Sequence, residues 1–245
     1  MGIDITSDLA EIIEYSPWIK MDTLDWSFLT SELKPKLFKK DEVIYQQQHD
    51  TEFIYLVKKG RVRLSIYSLE GEEKTLLIAE EGSLFGEISC LDNHPNFANA
   101  TAAADSFLYI IPKQSFILEL THNHKCAMNL IKLMARKLRI LSTQVMQLSF
   151  ADSYYRVSNA LVHLANEYGI LTDSGYKLSI KFTHQEMANL TGLCRVSVTN
   201  IFLNMAHNGV LQKEGGYFII MQLDKLYGYL YSQPVTAKKV FGHNK

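Results

Sequence analysis

The sequence predicts an α+β chain in three parts: an N-terminal β-roll, or jelly roll, a long helix, and a C-terminal helix-turn-helix unit with a β-wing. Three observations predict it. Short runs rich in Val, Ile, Tyr and Leu, broken by turn residues, fill Leu37 to Ile111. Apolar residues then alternate at spacings of 4 and 3 from Ala127 to Leu148. Finally, a Thr-x-x-Glu helix start, an interrupting glycine and a Gly-Gly hairpin succeed one another between Thr183 and Met221.

A chain of 245 residues is long for one core, so two domains joined by a connector are expected. Hydrophobic residues are 47% and charged residues 21%, which supplies ordinary globular cores and excludes a disordered composition. No apolar run reaches the roughly 18 residues that span a bilayer, and the start MGIDITSDLAEII is acidic rather than basic. A cytoplasmic protein with no membrane partner is expected. The three scattered cysteines, Cys90, Cys126 and Cys194, fit no disulfide framework and suit a reducing compartment. Basic and acidic residues number 16 and 20 up to Ala151, then 9 and 6, so the halves carry −4 and +3. That asymmetry suits a C-terminal part that meets a polyanion.

The apolar residues of the first 34 positions, among them Leu9, Ile12, Ile13, Trp18, Ile19, Leu24 and Phe28, have loosely helical spacing and predict short helices. The runs VIY, FIYLV, RVRLSIY and KTLLIA, separated by turns such as Lys59-Gly60 and Glu70-Gly71, predict about eight antiparallel strands. Residues 113–150 read as helix. Within them Ala127, Ile131, Met134, Leu138, Leu141, Val145 and Leu148 make the a/d stripe of a dimer seam, and Lys132, Arg136, Lys137 and Arg139 are expected off it, in solvent. A helix packed on its own domain is the other reading of the stripe. The domains are then 1–112 (β-roll with leading helices), 113–150 (dimerisation helix), 151–234 (winged helix-turn-helix) and 235–245 (tail).

After a break at 151–153 a helix is expected to end near Tyr168-Gly169, with glycine at the C′ position, followed by short strands around LSIKF. The capping box begins at Thr183, Gly192 separates two helices, and Gly215-Gly216 turns a hairpin. Leu193, Val198, Ile201, Phe202 and Met205 would bury one face of the second helix, which leaves Arg195, Val196, Ser197, Thr199 and Asn200 outward.

FIYLVKKGRVRLSIYSLEGEEKTLLIAEEGSLFGEIS and FTHQEMANLTGLCRVSVTNIFLNMAHNGVL, in this order and separation, resemble the β-roll and helix-turn-helix of the Crp/Fnr family over about Phe38 to Leu223. The resemblance implies a cyclic-nucleotide-binding-like β-roll and a homodimeric transcription regulator. Its implied partners are double-stranded DNA with an inverted-repeat operator and RNA polymerase. It also implies a DNA contact surface of Thr183, His184, Arg195, Val196, Ser197, Thr199 and Asn200. Arg195 reads as a guanine or phosphate contact. Val196 departs from the Glu of many members and resembles the apolar choice of the halogenated-phenol-responsive dehalogenation regulators, which points to thymine methyl contact and A·T-rich half-sites. Asn200 stands where members usually carry a second base-reading Arg and suits adenine. Cys194 is expected as a small buried turn residue, with a redox switch as the alternative.

The effector region departs from the cyclic-AMP receptors. Gly86-Glu87 is present, but Phe97-Ala98 replaces the Arg and small hydroxyl that hold the cyclic phosphate, and Leu141-Ser142 replaces a Thr-Ser pair. An aromatic ring neutralises no phosphate, so cyclic AMP is excluded as the expected effector and Glu87 is expected to cap a turn or pair locally. The remaining lining, Leu84, Phe85, Glu87, Ile88, Phe97, Leu138, Leu141 and Ser142, suits a small apolar or aromatic molecule. No cofactor is expected. Three separated cysteines cannot hold an iron-sulfur cluster, and His122-x-His124-x-Cys126 or Cys90 with His94 is expected as a solvated turn rather than a metal site. No catalytic residue is expected, since the His-x-His with downstream Glu and His of a cupin enzyme is missing. The alternative to an effector-controlled regulator is a constitutive DNA binder whose degenerate β-roll takes no ligand.

Overall fold

The structure is a computed structural model that describes residues 16–231. Leu9, Ile12, Ile13 and the tail at 235–245 lie outside the described residues. The chain divides into two compact units, Pro17–Leu141 and the residues from Ser142 onward, so the division falls within the long helix.

The first unit holds strands β1 (Trp18–Ile19), β2 (Lys36–Phe38), β3 (Val43–Tyr45), β4 (Phe53–Lys59), β5 (Val62–Tyr67), β6 (Glu73–Ala79), β7 (Leu84–Phe85), β8 (Asn99–Ala102) and β9 (Ser106–Pro112). They form two sheets, in the orders β1-β6-β5-β8-β3 and β2-β9-β4-β7. Side-chain size sets the packing across the first sheet. Val62 lies between Ala79 and Ala102, and Leu64 between Leu77 and Ala100, so branched residues on β5 face small ones on β8. All six are buried. A charge at Val62 or Leu64 would break this core layer, because the surrounding groups leave it no partner.

Trp18–Ile19 is a strand and not the expected helix. It pairs parallel with β6, and Ser83 Oγ donates a 2.6 Å hydrogen bond to Ile19 O. The free edge of β6 outweighs local spacing here. Helix α1 is only Ser27–Thr30, and α2 covers Glu87–Asp92.

The expected helix over 113–150 is two helices, α3 (Lys113–His122) and α4 (His124–Phe150). Asn123 is extended between them, and its Oδ1 accepts from Lys125 and Cys126 N–H at 3.1 and 3.3 Å. The asparagine satisfies donors that a helix N-terminus would otherwise leave open.

The second unit continues with α5 (Ser153–Tyr168), β10 (Gly169–Thr172), β11 (Gly175–Leu178), α6 (His184–Thr191), α7 (Arg195–His207), β12 (Leu211–Glu214), β13 (Tyr217–Ile220) and α8 (Leu223–Tyr231). Its sheet order is β10-β11-β13-β12. Asp152 caps α5 by accepting from Tyr155 N–H at 2.8 Å. Gly169 ends α5 with φ −76°, so it is not a left-handed C′ glycine. Space requires it instead, because a Cβ there would lie 2.2 Å from Ala165 O. Only the first part of the LSIKF region is strand, since β11 stops at Leu178.

Candidate effector cavity and DNA-reading surface

Helix α4 has two apolar stripes. Cys126, Leu130, Leu133 and Ile140 are buried, together with Lys137 and Gln144, at spacings of 4, 3, 4, 3 and 4. The expected seam lies beside them. Ala127, Met134 and Leu141 are half-buried, while Ile131, Leu138, Val145 and Leu148 are 59%, 67%, 64% and 48% exposed. The chain alone therefore leaves that stripe uncovered. The buried stripe is the one the sequence reading missed, because a lysine and a glutamine interrupt it.

Lys137 is buried and not in solvent as expected. Its ammonium lies 2.8 Å from Glu87 Oε1 and donates to Leu84 O at 2.9 Å. The pair spans 50 residues, so Glu87 pairs across the fold rather than locally. Gly86, in the left-handed region at φ +86°, turns the strand end into α2 and places Glu87 at its first position. Glu87 Oε2 is buried and has no hydrogen-bond partner among the described residues.

This pair stands in a cavity of about 120 Å³ lined by Tyr45, Leu64, Leu77, Gly86, Glu87, Ile88, Ser89, Phe97, Met134, Lys137, Leu138 and Leu141. Five of the expected lining residues are thus brought together: Glu87, Ile88, Phe97, Leu138 and Leu141. Three are not. Leu84 and Phe85 are fully buried in the roll, where Phe85 stacks on Tyr55 at 5.3 Å, and Ser142 lies on an exposed part of α4. Tyr45, Lys137 and Met134 take their place. The Tyr45 hydroxyl is held well above the usual phenol range, by burial first and then by the negative charge of Glu87.

In the second unit the capping box closes as expected. Thr183 Oγ1 accepts from Glu186 N–H at 3.1 Å, and Glu186 Oε2 accepts from Thr183 N–H at 2.6 Å. Gly192 takes φ +64°, a conformation that costs other residues more, and lets α7 begin three residues later. Val198, Ile201, Phe202 and Met205 are buried, and Leu193 is half-buried. Phe202 packs against Phe218 of the wing at 5.1 Å, which fixes α7 on the hairpin that turns at Gly215-Gly216.

The outward face differs in part from the expectation. Arg195, Val196 and Asn200 are exposed, whereas Ser197 and Thr199 are half-buried with their hydroxyls engaged. Thr199 Oγ1 donates to Arg195 O at 2.9 Å and lies 2.8 Å from His184 Nδ1. Cys194 is exposed at the N-cap of α7, not buried in the turn, and its Sγ lies 3.2 Å from Ser197 Oγ. The Ser197 hydroxyl, then backbone N–H groups of the helix start, hold its thiol below the usual cysteine range. No group of three His, Cys, Asp or Glu side chains suited to a metal occurs among the described residues. No helix among them is long and apolar enough to cross a membrane.

Residues 35–123 match the cyclic nucleotide-binding domain and residues 155–229 the Crp-like helix-turn-helix domain. The chain is 31% identical over 182 residues to the cyclic AMP receptor protein of Thermus thermophilus, covering 74% of this chain and 81% of that one. It is 24% identical over 198 residues to the CRP-like cAMP-activated global transcriptional regulator of Mycobacterium tuberculosis, covering 81% and 88%. Among solved structures, a CRP/FNR-family transcriptional regulator from Thermus thermophilus superposes with a TM-score of 0.67 at 25% identity, over 82% of this chain and 100% of that one. OCPA-complexed CprK superposes with a TM-score of 0.66 at 18% identity, over 87% and 97%. With both domain matches in order and these relatives spanning most of their length, the chain belongs to the Crp/Fnr family of DNA-binding transcription regulators.

Proposed function

We propose that the chain is a homodimeric regulator whose sequence-specific DNA binding is controlled by a small aromatic effector bound in the cavity under α4. It is a transcription regulator and not an enzyme, as its relatives are. The observation that carries the effector assignment is the Glu87–Lys137 pair with its open Oε2 in an otherwise apolar cavity. A buried carboxylate oxygen without a donor is costly, and a ligand hydroxyl answers it.

Size favours one ring. A cavity of about 120 Å³ falls below the roughly 300 Å³ at which pockets for larger ligands begin. A halogenated phenol supplies a ring for Phe97 and Leu64, a donor for Glu87 and polarisable atoms for Met134. The likeness to CprK, solved with OCPA, supports this class, and it is a likeness of fold. Cyclic AMP, named in several relatives, is a poor fit. Phe97 offers its phosphate no charge, and Lys137 is already committed to Glu87 and Leu84.

The uncovered stripe Ile131, Leu138, Val145 and Leu148 supports a parallel seam between two copies of α4. Through that helix, which runs from the first unit into the second, an effector would bias how the paired helix-turn-helix units meet DNA. RNA polymerase is the partner such a regulator addresses, inside the cytoplasm. One observation favours the constitutive alternative: Lys137 already fills the polar centre of the cavity. A thermal-shift screen of halogenated phenols against cyclic AMP separates the two. Stabilisation by a phenol and not by cyclic AMP supports the effector assignment; no stabilisation by any compound supports the constitutive one.

A further inference from the structure

His184, at the first position of α6, joins the recognition helix and the wing. Its Nδ1 lies 2.8 Å from Thr199 Oγ1, and that hydroxyl spends its only proton on Arg195 O at 2.9 Å. With that proton on Arg195 O, the bond from His184 reads as an N–H donation from Nδ1. Nε2 has no hydrogen-bond partner among the described residues. Phe202, edge-on at 5.0 Å, and Phe218 at 6.2 Å hold the ring in place.

The charged surroundings are one-sided. Lys213 of β12 has its ammonium 5.0 Å from the Phe218 ring centre, and Arg195 begins α7; both act on His184 as positive charges. On its own helix the nearest acid, Glu186, is engaged by Thr183 N–H. In the loop before α6, Lys181 sits over Tyr217 at 4.8 Å. Burial first, then Lys213 and Arg195, hold the imidazole below its ordinary range, which favours the neutral ring in the free protein.

We propose that His184 and Lys213 together hold one backbone phosphate of bound DNA, and that this phosphate draws a proton from solvent onto His184 Nε2. The proposal rests on the DNA-binding reading and adds proton uptake to it. A phosphate oxygen cannot donate to Nε2, and its negative charge favours the imidazolium by offsetting the repulsion from Lys213 and Arg195. His184 is then more readily protonated in the complex than in the free chain. Linkage fixes the sign: affinity is lowest at high pH, rises as pH falls below the complexed His184 pKa, and levels off below the free one. Within that window each half-site contributes up to about tenfold per pH unit.

The test is a set of dissociation constants for the full chain on a selected operator duplex, from about pH 5.5 to 8 at fixed salt and then across salt at fixed pH. His184→Asn keeps an N–H donor for Thr199 but cannot titrate, and Lys213→Gln removes one exposed charge. The expected result is a wild-type affinity that falls with rising pH, a flat profile for H184N, and a salt slope shallower by about 0.9 per half-site for K213Q. Specific binding by wild type and H184N with the same pH profile would overturn the proposal alone, as would an unchanged salt slope in K213Q. Absence of any sequence-specific complex with wild type, both without effector and with the phenol that most stabilises the chain, would overturn the DNA-binding reading and the proposal with it.

Discussion

Lys137 and Glu87 form a buried ion pair, 2.8 Å apart, between α4 and the start of α2, and the same ammonium holds the Leu84 carbonyl at 2.9 Å. The pair fastens α4 to the β-roll at the place where the cavity opens. Two charges taken from water are stable there only while each has the other.

Removing one partner should therefore cost more than removing both. Lys137→Met leaves Glu87 buried and uncompensated, and a loss of about 3–5 kcal/mol in stability is expected. Combined with Glu87→Leu, most of that loss should return. Denaturant unfolding of the two single variants and the double variant measures the coupling, and additive losses would mean that the pair does not act as a unit.

The stripe on α4 predicts the assembly. Leu138 is 67% exposed in one chain, and Leu138→Asp should give monomers in sedimentation velocity while leaving the β-roll folded. A full dimer in that variant would place the seam elsewhere.

The fold was legible where a local pattern and the tertiary structure agree. Thr183 with Glu186, Gly192 and Gly215-Gly216 each demand one backbone geometry, and each takes it. The candidate site was legible only in part. A lysine on a helix reads as solvated, and nothing near Lys137 in sequence discloses a carboxylate 50 residues away. Leu84 and Phe85 read as cavity lining because apolar core and apolar pocket have the same composition. The break at Asn123 was present in the sequence as a helix-capping residue inside the polar run Thr121 to Lys125, and reading 113–150 as helix throughout passed over it.

The thiols should separate by reactivity. Cys126 is pushed up to about 11 by burial, and burial also raises Cys90, whereas hydrogen bonds at the start of α7 lower the exposed Cys194. Native protein should lose one thiol rapidly to iodoacetamide, with the rate levelling at a lower pH than for free cysteine. Mass spectrometry should locate the adduct at Cys194; first labelling at Cys90 or Cys126 would refute the ordering.

Val196, 67% exposed beside Arg195, should set base preference. Having no acceptor for a cytosine amino group, it favours thymine, so selection from random DNA should return A·T-rich inverted repeats with half-site centres about 34 Å apart. Val196→Glu should introduce a G·C preference at one position per half-site, and Arg195→Ala should cost about 1–3 kcal/mol per site. Identical motifs from wild type and V196E would refute the assignment.

The central claim is that a ligand in the cavity beside Glu87 and Lys137 governs DNA binding. The most direct measurement is the affinity of the full chain for its selected operator, with and without the halogenated phenol that most stabilises it. The account predicts a change of at least about fivefold, the lower end of ordinary allosteric coupling, that is lost in Lys137→Met assayed below its unfolding temperature. Tight operator binding that is the same with and without every phenol tested would contradict it.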